Sequence, residues 1–199
     1  PAIVGCKKVA HQVKNGERLV VDGFSGTAIV EPTTQQVAHY QQLASQYAAE
    51  KLQWAKLVNS PSVTKDGQQL TISANIGSSN DIPAAVNNGA DEIGLFRTEF
   101  LYMKSEHLPT EEEQFHAYRD AVESLDGKTL VVRTLDIGGD KPLTFMPLPH
   151  ELNPFLGYRA IRISLDRPQM FRTQLRALIR ASQFGQVNIM FPMITTLEE

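Results

Sequence analysis

Three patterns of apolar and polar residues follow one another along this chain. Up to Pro32, apolar residues come in short runs broken by turn formers. Arg18 to Val21 and Thr27 to Val30 read as two strands about a turn at Asp22, Gly23, Ser25 and Gly26, and Glu31-Pro32 ends the second. A second pattern, with helical spacing, runs from Thr33 to about Val58. Thr33 with Gln36 fits a capping box, and Val37, Tyr40, Leu43, Tyr47 and Leu52 recur on one face. No Gly or Pro interrupts this stretch, and Asn59-Ser60-Pro61 stops it.

From Leu70 onward, strand-like runs alternate with helical ones. Leu70 to Ile76 reads as a strand. Asp81 is expected to cap a short helix with Pro83 near its start and Gly89 at its end. Glu92 to Phe96 is a second strand. Thr110-Glu-Glu-Glu113 is a further capping box, and Phe115, Tyr118, Val122 and Leu125 share one apolar face behind it. Thr129 to Thr134 is a third strand. Gly157 to Leu165 and Asp166 to Phe184 read as one helix or two, broken near Asp166-Arg167-Pro168. Val187 to Met193 is a fourth strand, and Leu197 to Glu199 is expected to open the next helix.

Such alternation implies an α/β fold with a parallel sheet, whose faces both need cover. A (β/α)8 barrel takes about 250 residues, and roughly half that length follows the long helix. Two architectures fit: a small open α/β sheet, or the first half of a barrel cut after its fourth strand. The chain stops in mid-element, which favours the cut barrel. About thirty residues bury no core by themselves, so residues 1–32 are expected to finish a domain that begins earlier. The helix of 33–58 then serves as a connector, and residues 59–199 form the half barrel. The opening Pro-Ala-Ile-Val, without Met or leader, points the same way.

Composition removes several classes of partner. The 199 residues carry a formal net charge of −3, with no polybasic run, so neither nucleic acid nor an anionic membrane is expected as a partner. No stretch approaches about 20 apolar residues. The single cysteine, Cys6, allows no internal disulfide, which suits a cytoplasmic setting; it reads as a small buried apolar residue.

Candidate chemistry lies just past the strands, where barrel sites are built. Arg97-Thr98-Glu99-Phe100 follows the second strand, and Arg133 to Lys141 follows the third. Two arginines at equivalent ends of neighbouring strands can converge on one anion, because the planar guanidinium gives paired charge-assisted bonds to phosphate or carboxylate. Gly138-Gly139 would let the backbone approach a ligand, Lys141 would add a point charge, and Asn75 ends the first strand. The same residues also fit a structural salt bridge within Arg97-Thr98-Glu99 and a charge-paired turn over Asp136 to Lys141.

Five blocks in order carry a resemblance. They are Gly89 to Met103 (GADEIGLFRTEFLYM), Leu108 to Phe115 (LPTEEEQF), Val132 to Lys141 (VRTLDIGGDK), Asn153 to Arg162 (NPFLGYRAIR) and Ile189 to Met193 (IMFPM). Together they resemble enzyme I of the bacterial phosphoenolpyruvate (PEP):sugar phosphotransferase system, a PEP-utilising enzyme. Residues 1–32 resemble the end of that family's swivelling phosphohistidine domain.

The resemblance implies a phosphotransferase that passes phosphoryl from PEP to an enzyme histidine, and then to a small phosphocarrier protein of the HPr type for sugar uptake. It implies that Arg97, Arg133 and Arg159 bind PEP, that the parent protein is a homodimer, and that Mg2+ bridges substrate oxygens. The metal ligands, the histidine and the proton-donating cysteine are expected outside this chain. No catalytic residue and no metal ligand is therefore assigned within it, and the chain alone is expected to be inactive. His11, His39, His107, His116 and His150 stand in no phosphohistidine context. A pyruvate phosphate dikinase or PEP synthase, and a non-catalytic PEP-binding regulatory module, are the alternatives.

Overall fold

The computed structural model describes residues 2–6, 12–138, 143 and 145–199. The chain divides into two compact units, Pro1–Leu57 and Val58–Glu199.

In the first unit β1 (Leu19–Asp22) and β2 (Thr27–Val30) pair antiparallel, with Leu19 opposite Val30 and Asp22 opposite Thr27. The Asp22 carboxylate closes the turn, accepting the Ser25 hydroxyl at 2.6 Å and the Phe24 amide at 2.9 Å. Those bonds hold its carboxyl below the ordinary range. The long helix α1 spans Thr34–Ala55 and carries the expected Thr33–Gln36 capping box. It stops short of Val58 because the Lys56 and Leu57 amides reach back only three residues, to Gln53 and Trp54. Phe24 meets Tyr47 edge-on at 5.0 Å, yet no residue of α1 is buried. Cys6 is exposed, contrary to expectation; it lies in an irregular stretch outside any packed element.

The second unit is a four-stranded parallel sheet in the order β3 (Ser73–Ile76), β4 (Glu92–Arg97), β5 (Leu130–Arg133), β6 (Val187–Met190). Between the strands come α2 (Ile82–Asn87), α3 (Glu99–Met103), α4 (Glu111–Glu123), α5 (Ile161–Asp166) and α6 (Pro168–Ala181). Ile93, Phe96, Leu130 and Val132 of the sheet bury against Phe115, Tyr118 and Val122 of α4 and Ala177 and Leu178 of α6. Each large side chain so buried contributes about 1.5–3 kcal/mol. A second cluster, including Tyr102, Leu135, Ile137, Met146 and Ile163, fills the region beyond the strand ends.

Strand alternation turns Ser73, Asn75, Arg97, Val131, Arg133 and Met190 to the other face. On that face Ser73, Asn75 and Met190 are exposed. A parallel sheet ordinarily has both faces packed.

Several boundaries differ from the sequence pattern, each for a local reason. β3 starts at Ser73 because the Leu70 amide bonds back to Ser62 and Gln69 bridges Val63. Asp81 accepts the Gly77 and Ser78 amides at 2.9 and 3.0 Å, so it caps the 3-10 turn Ser79–Asp81, not α2. α5 begins at Ile161 rather than Gly157, because Ala160 has φ +54°, outside the helical region. The break before Pro168 falls at Arg167. β6 ends before Pro192, which has no amide to donate. Leu197–Glu199 forms no helix, since three residues cannot close a turn; Glu199 instead accepts the Thr195 and Thr196 amides. The five-residue α3 is too short to leave a period in the sequence.

Glu111 joins α4 to α6, accepting Arg176 at 2.7 Å and Arg180 at 3.0 Å. These partners, Arg176 first, hold its carboxyl below the ordinary 4.5. Glu113 is lowered too, chiefly by the Thr110 amide. A carboxyl more acidic folded than unfolded stabilises the fold above its unfolded pKa, and that contribution vanishes as pH falls through the folded value. The denaturation midpoint should therefore hold near neutrality and drop below pH 4.5, with a shallower drop in Glu111→Gln. Identical acid profiles for the two proteins would contradict this.

Candidate functional site

Arg97 and Arg133 are the last residues of β4 and β5, and they are direct partners in the sheet register. Neighbouring strands lie about 4.8 Å apart, so both side chains leave the uncovered face side by side. Two cations so close repel. Their surroundings treat them differently.

Arg133 is held from two sides. One Nη makes a close ion pair with Glu99, and the other lies 3.0 Å from Asp136. Asp136 also receives Arg159, through Nε at 2.7 Å and Nη2 at 3.2 Å, in the forked geometry that guanidinium favours. Both carboxylates are almost wholly buried, Glu99 at 1% and Asp136 at 5% exposure. Arg97 instead stacks over Phe100 at 5.0 Å. No described carboxylate lies within ion-pair distance of it, and its buried Nε has no hydrogen-bond partner. The Arg133 Nε is likewise unpartnered.

Among the described residues, Arg133 and Arg159 thus pair with two carboxylates, Arg97 stands beside them without one, and two buried Nε donors lack a partner. A buried unpaired donor costs about 1–3 kcal/mol, and an anion on this face would relieve that cost. The alternative reading, a salt bridge within Arg97-Thr98-Glu99, is not what forms: Glu99 pairs with Arg133, one strand over.

Arg159 reaches the group by an unusual path. A Cβ at Gly138 would stand 2.6 Å from the Arg159 Cγ. The close approach expected at Gly138 is therefore made by this arginine stem. Gly139, Asp140 and Lys141 lie outside the described residues. Ala160, with its positive φ, turns the chain directly after Arg159, a conformation costing about 1–3 kcal/mol. Arg162 is committed to Glu199 at 3.3 Å and to the Leu156 and Gly157 carbonyls at 2.6 and 2.9 Å. Asn75 is exposed on the same sheet face as Arg97.

Behind the arginines lies a buried polar layer that the sequence reading missed: Thr98, Gln114, Gln174, Tyr102 and Tyr118. Burial raises both tyrosine hydroxyls well above their ordinary pKa, so they act as neutral donors and acceptors. The signal was present as a glutamine on the apolar side of each helix, Gln114 beside Phe115 and Tyr118, and Gln174 between Phe171 and Leu178.

Other features place limits on the chemistry. Among the described residues no group of three or more His, Cys, Asp or Glu gathers to hold a metal, and Glu99 and Asp136 face guanidiniums. Cavities of about 380 and 770 Å³ lie against α1, lined by residues such as Arg18, Tyr40, Phe24 and Tyr47, and none of the three arginines lines either. His107 and His116 make surface contacts to Glu113 and Glu112. No helix among the described residues is long and apolar enough to cross a membrane.

Removing Asp136 takes a buried carboxylate from two nearly buried guanidiniums. Asp136→Ala should cost about 3–5 kcal/mol, whereas Arg176→Ala at the exposed pair with Glu111 should leave stability nearly unchanged. Urea unfolding of both variants checks the contrast, and equal losses would contradict it.

Known proteins match this chain over its whole length. It is 56% identical over 199 residues to the phosphoenolpyruvate-protein phosphotransferase of Latilactobacillus sakei, and 52% identical to that of Bacillus subtilis (strain 168). The protein of the same name from Geobacillus stearothermophilus is 55% identical. In each case all of this chain is covered but only 34–35% of the relative, so the chain spans about a third of their length. Residues 51–199 match the family described as PEP-utilising enzyme, PEP-binding domain. The chain, with its register-paired arginines, therefore belongs to the PEP-utilising enzymes and carries sequence of their PEP-binding domain.

Proposed function

We propose that this chain is the PEP-binding portion of an enzyme I phosphotransferase, and that Arg97, Arg133 and Arg159 receive the substrate's phosphate. The observation that carries this reading is the pairing of Arg97 with Arg133 across β4 and β5, with a buried Nε donor open on each. The uncovered parallel face supports a further step: 59–199 is the first half of a (β/α)8 barrel, and strands of the second half close over that face. In the same reading 33–58 is the connector and 1–32 the end of the phosphohistidine domain. The relatives' names favour a protein-directed phosphotransferase over a dikinase or a regulatory module.

Phosphoryl transfer gains most of its rate from positioning and charge neutralisation. Arg97 offers donors that no described carboxylate competes for. Arg133 and Arg159 are pre-oriented by Glu99 and Asp136, so their geometry is set before substrate arrives. The phosphoryl acceptor is a histidine elsewhere in the parent protein, and an HPr-type phosphocarrier takes the group onward for sugar uptake. The parent is a cytoplasmic homodimer. Mg2+, which neutralises phosphate oxygens in such transfers, takes its ligands from residues other than those described here.

Arg97→Ala is the clean test, because it leaves no ion-paired carboxylate behind. In the full-length protein it should lower PEP-dependent phosphorylation about 10²- to 10³-fold with the fold intact. Arg133→Ala should lose as much activity and also stability, since it removes the close ion pair of buried Glu99. Residues 1–199 alone, with PEP and Mg2+, should form no phosphohistidine. Near-normal turnover by folded Arg97→Ala would refute the assignment.

A further inference from the structure

We propose that Gln174 is a positioning residue that clamps the ends of β4 and β5 together, so that Arg97 and Arg133 present one anion site. The inference rests on the functional reading above and deepens it. Gln174 lies on α6, on the helix side of the sheet, and is 1% exposed. Its Oε1 accepts the Leu135 amide at 3.0 Å, two residues beyond Arg133. Its Nε2 donates to the Thr98 hydroxyl at 3.4 Å, one residue beyond Arg97. That hydroxyl in turn donates to the Arg133 carbonyl at 2.9 Å. A single side-chain amide thus bridges the segments that follow both arginines, with Thr98 as the cross-strand link.

The direction of every bond in this layer is determined. Leu135 N–H can only donate, which fixes the amide orientation and aims both Nε2 protons at acceptors. The second proton goes to the Tyr118 hydroxyl at 3.1 Å. Tyr118 and Tyr102 then donate to the Gln114 Oε1 at 3.1 and 3.3 Å, and the Gln114 amide donates to the Pro109 carbonyl at 2.9 Å. Gln174 is thereby anchored to α4 as well as to the two strand ends. A buried network in which each of these side-chain polar atoms has a partner favours one geometry, and a gap in it leaves stranded polar groups. Neither Gln174 nor Thr98 reaches the uncovered face; their effect on substrate passes through the two arginines.

The test uses the full-length protein and measures kcat/KM for PEP-dependent phosphorylation. Arg97→Ala first establishes that transfer depends on the anion site. Gln174→Met keeps length and volume but has no comparable donor or acceptor. It should lower kcat/KM about 10- to 100-fold, the cost of a displacement on the order of 1 Å. In the Arg97→Ala background the same substitution should cost less than about threefold, because the residue acts through the arginines.

Equal costs in both backgrounds would overturn the clamp and leave a scaffold role. So would a folded Gln174→Met with kcat/KM within about twofold of the parent. If Gln174→Met does not fold, Thr98→Val breaks the same link, and an unchanged kcat/KM there overturns the proposal equally. Wild-type protein that shows no PEP-dependent transfer, or none sensitive to Arg97, would instead sink the functional reading itself.

Discussion

Two buried carboxylates, Glu99 and Asp136, govern how this unit is built. Register places Arg97 and Arg133 side by side, an arrangement that Coulomb repulsion opposes. Glu99 and Asp136 offset it by taking Arg133 between them, and Asp136 also draws Arg159 in from a distant loop. Buried ion pairs add little net stability, but they fix geometry strongly. Here they hold two guanidiniums from separate segments, Arg133 and Arg159, in one group and leave Arg97 outside the pairing.

The remaining structure serves that arrangement in layers. The apolar contact of β4 and β5 with α4 and α6 sets where the two strands end. A polar layer of glutamine, tyrosine and threonine then links the segments just past those ends. Gly138 leaves room for the Arg159 stem, and Ala160 turns the chain immediately afterwards. The strained Ala160 backbone persists because its amide is tied to the Ile137 carbonyl, within the second apolar cluster.

Much of this was legible in the residues. Capping boxes at Thr33 and Thr110 mark two helix starts correctly, because the cap is a local bond that needs nothing from the rest of the fold. Strands β4 and β5 were legible as apolar runs between turn formers, and with them the arginines at their ends. Partnership was not legible. Nothing in Arg97-Thr98-Glu99 says that the glutamate turns to the neighbouring strand, since cross-strand contacts follow from register. The roles of Gln114 and Gln174 depended on burial, which a polar residue on an otherwise apolar helix face hints at without naming its partner. The early start assigned to α5 failed for another reason: a positive φ at alanine leaves no trace in composition.

The contrast between Arg97 and Arg133 also divides the effect of dissolved salt. Ion pairs shielded from water, such as Arg133 with Glu99, are little affected by mobile counterions. The open face that Arg97 presents is reached through solvent, where screening sets in over about 10 Å at 0.1 M ionic strength. Raising ionic strength therefore weakens the attraction of Arg97 for any anion while leaving the framework around Arg133 unchanged.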